Sequence, residues 1–223
     1  MGTQRQVGVV LAGCGFRDGA EVQEAVLTLY FLERQGLVAR CFAPDRSQTR
    51  VINHLTGQAM QEERNVLVEA ARIARGQIAP LASATMRALD ALVLPGGYGV
   101  AQTLSDLADS GAQATVDGDL ARLVGEAVEA RKPIVAICIS PAVVAAALRP
   151  MDRHARLTIG DDAATAAVIR RLGATHETCA VEQIVVDQTL RIISTPAYML
   201  GPGPRAVGAG IEAAIDQLAR WLA

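Results

Sequence analysis

The sequence predicts a single open α/β domain, a mostly parallel sheet with helices packed on both faces. Strand-length apolar runs alternate with helix-length stretches from one end of the chain to the other, the order of successive strand–helix units. The strands at 90–94 and 133–139 are apolar almost throughout, as strands covered on both faces require. Turns rich in Gly, Pro or Ser follow three strands: Gly13-Cys14-Gly15, Pro95-Gly96-Gly97 and Ser140-Pro141. They share the carboxyl edge, where open sheets hold their ligands.

With 223 residues, 51% of them apolar, the chain has ample material for one large core, and no repeat, linker or low-complexity tract divides residues 1–223. The formal charge of −2, from 21 basic and 23 acidic residues, argues against a general nucleic-acid or anionic-membrane surface. Cys14, Cys41, Cys138 and Cys179 are widely spaced, without CxxC or a Cys/His zinc spacing, which points to a reducing compartment. Residues 1–6 are too short and polar for a signal peptide, and no apolar run has the length of a membrane span. A cytoplasmic protein is expected.

In chain order, 7–12 is the first strand and 20–35 the first helix, closed by Gly36. Apolar side chains go most of the way round that helix, so a carboxylate on it needs a reason. Glu24 shares its face with Leu27, Thr28 and Phe31, which makes it the candidate for a buried carboxyl with a raised pKa. A solvated first-turn acid is the plainer reading. Glu21, nearer the helix start, complements the dipole. Residues 38–43 form the second strand, and 50–60 read as a short extended insertion. Within it Asn53 and His54 are candidates to line a site, although a lone His beside Leu55 is more often structural. A helix at 63–75, the strand at 90–94, a polar segment to Asp117 and a helix at 120–130 follow. Beyond the strand at 133–139 the pattern continues with a strand at 156–160, a helix at 161–172 and shorter strands at 174–179, 184–186 and 191–195. Asp187 is placed in a hairpin turn, and a helix at 206–222 closes the chain.

The chain is organised around the stretch from Pro133 to Pro141, which reads as a buried strand turning sharply into a helix. Ser140 suits the N-cap and Pro141 the first helical position. Cys138 then stands just before a helix N-terminus, where free amides and the dipole favour a thiolate. This is the cysteine counterpart of a nucleophile elbow, with Ala136 and Ser140 where that motif has glycines. A cysteine packed as a small hydrophobe is the competing reading. Gly96 and Gly97 follow a strand in a turn that lets backbone amides approach a ligand, as an oxyanion hole requires.

Together the Cys138 elbow, the Leu94-Pro95-Gly96-Gly97 turn and the acid early in the first helix resemble the ThiJ/PfpI superfamily, the class I glutamine-amidotransferase-like proteins. Longer stretches, among them Leu11-Ala12-Gly13-Cys14-Gly15, Val51-Ile52-Asn53-His54-Leu55-Thr56-Gly57 and Thr195-Pro196-Ala197-Tyr198-Met199-Leu200, resemble more narrowly the bacterial enhancing-lycopene-biosynthesis family. The resemblance implies a flavodoxin-like fold, a homodimer, a link to isoprenoid biosynthesis and membership of a group of glyoxalases that act without glutathione. Carried over by position, it makes Cys138 the nucleophile and Glu24 the acid that holds or protonates its sulfur. In amidotransferases a His and a Glu complete a triad. Here His154 lies in a charged loop and His176 in a short strand, so a complete triad is not expected.

The function expected is therefore a glyoxalase-type conversion of a small 2-oxoaldehyde, methylglyoxal or glyoxal, to a 2-hydroxy acid through a Cys138 hemithioacetal. Glu24 would move the proton, and amides near Gly97 and Ile139 would stabilise the oxyanion. The scheme requires no metal or organic cofactor, and neither nucleic acid nor membrane as partner. The alternative is a redox or stress-response sensor in which Cys138 is oxidised, with Cys14 as a candidate resolving thiol at the same sheet edge.

Overall fold

The computed structural model describes residues 4–201 and 203–223. Its strands are β1 (Gln6–Val10), β2 (Val38–Ala43), β3 (Ile78–Pro80), β4 (Ala91–Leu94), β5 (Ile134–Ile137), β6 (Arg156–Leu157), β7 (Thr175–His176), β8 (Val185–Asp187) and β9 (Ile192–Thr195). Its helices are α1 (Val22–Arg34), α2 (Val66–Ile73), α3 (Tyr98–Gln102), α4 (Leu107–Ser110), α5 (Gly118–Glu129), α6 (Ser140–Leu148), α7 (Ala163–Arg171) and α8 (Pro204–Leu222). Seven strands form one sheet in the order β3-β2-β1-β4-β5-β9-β8, all neighbours parallel except the β8–β9 pair. This is the flavodoxin-like arrangement of a mostly parallel sheet between two helical layers.

Side-chain alternation splits the core into those two layers. Val10, Leu92, Leu94, Ile134 and Ala136 face α5 and α6, while Val7, Val9, Val93, Val135 and Ile137 face α1 and α8. Both sets are buried, so the strands read as continuous apolar runs in the sequence. Every residue of α6 is buried. A helix covered on all sides has no polar face to reveal its period, which is why its sequence is an Ala/Val run.

Several sequence expectations are corrected. The strands expected at 156–160 and 174–179 shrink to β6 and β7, which pair with each other in a separate two-stranded sheet. Arg156 is held there because its amide donates to Asp187 (2.8 Å). Asp187 is not in the hairpin turn but ends β8, and its other oxygen accepts the Leu190 amide of the turn (2.9 Å). The polar segment before Asp117 contains the short helices α3 and α4, and β3 is an edge strand that its three residues did not announce. The 50–60 insertion is a closed turn: Ile52 bridges Ala59, and the Asn53 side-chain Oδ1 accepts the amides of Leu55 (3.0 Å) and Thr56 (3.2 Å).

Candidate active site

The strand order places a switch point between β1 and β4: from β1 the chain winds outward to β2 and β3, then returns to lay β4 on the other side. Open sheets leave a crevice there, outside the carboxyl ends. Glu24 in α1, the turn after β4 and Cys138 after β5 all meet at that edge.

Cys138 joins β5 to α6 with φ 63°, in the left-handed region that a non-glycine residue enters only when its surroundings hold it there. Helix α6 begins at Ser140 itself, so the expected Ser140 cap is corrected: the cap position is Ile139, with no side-chain capping bond. The Ser140 hydroxyl instead donates across to the Pro95 carbonyl (2.9 Å). That buried bond ties the cysteine turn to the β4 turn. The amides of Gly97 and Ile139 are left to the cysteine sulfur.

Glu24 is fully buried, with its two oxygens accepting the amides of Gly96 (2.8 Å) and Tyr198 (3.2 Å). Its carboxyl lies within hydrogen-bonding reach of the Cys138 sulfur. Gly96 separates them so narrowly that a Cβ there would sit 2.4 Å from Cys138 Cβ, 2.7 Å from Glu24 Oε2 and 2.9 Å from Cys138 Sγ. Only glycine fits. Gly97 is also required, with φ 101° and space for a Cβ blocked at 2.3 Å by the Gly19 carbonyl oxygen.

The electrostatics follow from burial. Loss of water pushes Glu24 up to about 7 against the pull of its two amide donors. Burial, and then the neighbouring Glu24 charge, also push the Cys138 thiol well up, while the Gly97 and Ile139 amides pull it down. The standing thiolate expected from the helix N-terminus is thereby corrected: one helix end does not outweigh removal of the sulfur from water beside a carboxylate. Each group's ionisation therefore raises the other's pKa, so the two titrate as a pair.

A cavity of about 480 Å³ opens over Cys138, walled by Gly97, Ile139, Phe16, Tyr98, Glu21 and Tyr198 among others. Of the residues expected from sequence, Cys138, Gly97 and Ile139 reach this wall, and Glu24 and Gly96 pack against the sulfur. Cys14, Asn53 and His54 do not reach it. Cys14 is half-buried and feels Glu69, Arg72 and Asp18. His54 Nδ1 pairs with the Ile52 carbonyl (3.1 Å), its Nε2 accepts the Arg17 amide (3.2 Å), and its ring packs edge-on against Phe16 at 5.5 Å. It buttresses the loop that carries Phe16 rather than facing the sulfur.

Neither remaining histidine lines the cavity. His154 lies on the surface against the Gly173 carbonyl (2.9 Å), and His176 is buried in the small sheet, its Nε2 accepting the Ile159 amide (3.3 Å). Sequence reasoning missed Glu21, which is the N-cap of α1 through the Glu24 amide (2.6 Å) and also a carboxylate of the cavity wall. It also missed Asp162 and Tyr198, although Tyr198 belongs to one of the stretches that carried the family resemblance.

A comparison with protein-family models gives no match. Among curated proteins, the chain is 39% identical over 223 residues to the mitochondrial glutamine amidotransferase-like class 1 domain-containing protein 3 of Homo sapiens, covering 96% of this chain and 82% of the relative. It is 36% identical, with the same coverage, to the mitochondrial ES1 protein homolog of Rattus norvegicus. Among solved structures, an isoprenoid biosynthesis protein with an amidotransferase-like domain from Ehrlichia chaffeensis matches with a TM-score of 0.93 at 38% identity, over 98% of this chain and 100% of that one. A DJ-1 superfamily protein of Salmonella typhimurium, 21% identical, shares the fold with a TM-score of 0.57 over 98% of this chain and 91% of that one.

The cytoplasmic expectation is overturned by these relatives, which are mitochondrial proteins. Unpaired cysteines and a modest charge describe a reducing medium, not an address. Identity of this order over nearly the whole length decides the family: the chain belongs to the glutamine-amidotransferase-like class 1 domain proteins, and it shares its fold with a DJ-1 superfamily protein.

Proposed function

We propose that the chain is a glutathione-independent glyoxalase-type enzyme, converting a 2-oxoaldehyde of the methylglyoxal kind to a 2-hydroxy acid on Cys138 and Glu24. The observation that carries this reading is the buried pair itself. A thiol pushed well up and a carboxyl pushed up to about 7 lie side by side beneath a cavity, with no histidine in the wall among the described residues. A carboxyl of that pKa is a competent acid and base at neutral pH.

Glu24 as carboxylate takes the Cys138 proton while the sulfur adds to the aldehyde carbon, then passes it to the alkoxide oxygen, giving a hemithioacetal and a carboxylate again. Glu24 then removes the hydrogen from that carbon, and a proton is returned to the neighbouring carbonyl carbon through an enediol. The product is a 2-hydroxy thioester. Water cleaves the carbon–sulfur bond, releases the acid and restores the thiol. The aldehyde carbon is oxidised and the ketone carbon reduced within one molecule, so only water is consumed. Amides of Gly97 and Ile139, which donate toward the sulfur, would stabilise the negative oxygen that develops beside it.

Purified protein should consume methylglyoxal and form lactate, and the Cys138→Ala variant should lose that turnover. Equal consumption by both proteins would remove the proposal.

A further inference from the structure

The cavity over Cys138 is much larger than the substrate that serves as the simplest example. Its volume of about 480 Å³ falls in the range of roughly 300–1,000 Å³ typical of sites for drug-sized ligands. Methylglyoxal, a handful of heavy atoms, would leave most of it to water. The wall away from the sulfur is apolar, from Phe16, Tyr98, Leu107, Val168 and Met199. Two of those rings stand open to solvent at the rim, Phe16 at 44% and Tyr98 at 55% exposure, where a bound apolar group would cover them.

The charge in the same wall is of one sign. Among the described residues it contains the carboxylates Glu21 and Asp162 and no lysine, arginine or histidine. Asp162 is the N-cap of α7, and its bond to the Thr165 amide (2.7 Å) fixes the carboxylate at the cavity. An anionic substrate would bring a negative charge into this wall with no cation to receive it, beside the Glu24 carboxyl as well.

We infer that this cavity selects uncharged 2-oxoaldehydes carrying an apolar substituent larger than methyl, and rejects those carrying a negative charge. This inference rests on reading Cys138 as the nucleophile. It names aryl or longer alkyl glyoxals as the substrate class, and it excludes phosphorylated or carboxylated carbonyl compounds.

Turnover and alkylation test it separately. The turnover arm compares formation of 2-hydroxy acid from phenylglyoxal, methylglyoxal and 4-carboxyphenylglyoxal. Phenylglyoxal is expected to show kcat/KM at least tenfold above either competitor, chiefly through KM. Asp162→Asn keeps the cap oxygen and removes one charge. It should recover several-fold of the loss seen with the carboxylated substrate. In the second arm, alkylation of Cys138 is followed on its peptide by mass, each rate divided by that of the same reagent with free cysteine. N-benzyl iodoacetamide should exceed iodoacetamide, and iodoacetamide should exceed iodoacetate tenfold or more.

Loss of turnover on all three aldehydes, with the alkylation order intact, would reject the glyoxalase reading and leave the cavity's selectivity standing. Methylglyoxal or the carboxylated aldehyde used as well as phenylglyoxal would overturn the inference. So would alkylation rates independent of size and charge.

Discussion

Glu24 is a carboxyl taken out of water and given two amides to accept. Its folded pKa, about 7 against an ordinary 4.5, is raised, so the protein resists its ionisation. The stability associated with the neutral form is complete below 4.5 and is lost as pH rises through about 7, on the order of 3 kcal/mol at the upper end. Urea midpoints of the parent protein should therefore fall between pH 5 and pH 8. Glu24→Gln should flatten that fall. It should also carry a constant penalty of about 1 kcal/mol, because one amide oxygen cannot serve both the Gly96 and Tyr198 donors. Gly96→Ala is expected to destabilise by about 1–3 kcal/mol through overpacking and to displace the sulfur from the carboxyl, measurable as lost turnover. Glu24 was only half legible in the sequence: a helix that is apolar most of the way round made it a candidate, but a solvated first-turn acid was the plainer reading, and its role came from the family resemblance. Glu21 was not legible, because an acid in a first turn has an ordinary explanation, and only the tertiary fold sets it in a cavity wall.

At the level of elements, the strand-to-helix turn at Cys138 was readable, but its mechanics were not. Ser-Pro before an Ala/Val run looks like a capped helix start, yet the Ser140 hydroxyl is recruited by the Pro95 carbonyl of a neighbouring turn. Long-range partners of this kind leave no local signal. Ser140→Ala strips that buried carbonyl of its donor and should cost about 1–3 kcal/mol. It should also loosen the joint between the two turns, so turnover should fall more than the fraction folded, which circular dichroism at the assay temperature would report. Strands β6 and β7 illustrate the opposite limit. The runs at 156–160 and 174–179 announced extended chain, but a strand of two residues carries no information about which sheet it joins.

For the whole molecule, the alternation of strand and helix was enough to anticipate the layers and the shared carboxyl edge. Parallel order and the return from β3 to β4 follow from packing rules rather than from any one residue. The switch point they create is what brings positions 24, 96 and 138 together across more than half the chain. Compartment was not legible, since the physical chemistry of free thiols is shared by every reducing environment. The central claim is that this assembled pair works as base and nucleophile, and Glu24→Gln tests it most directly. Removing the Glu24 charge removes one cause of the raised thiol pKa, so Cys138 should be alkylated at pH 7.5 no more slowly than in the parent protein. Turnover of a 2-oxoaldehyde should nevertheless fall by roughly a hundredfold or more, the scale of a lost general acid–base. Undiminished turnover in Glu24→Gln, with Cys138 equally reactive, would contradict the account.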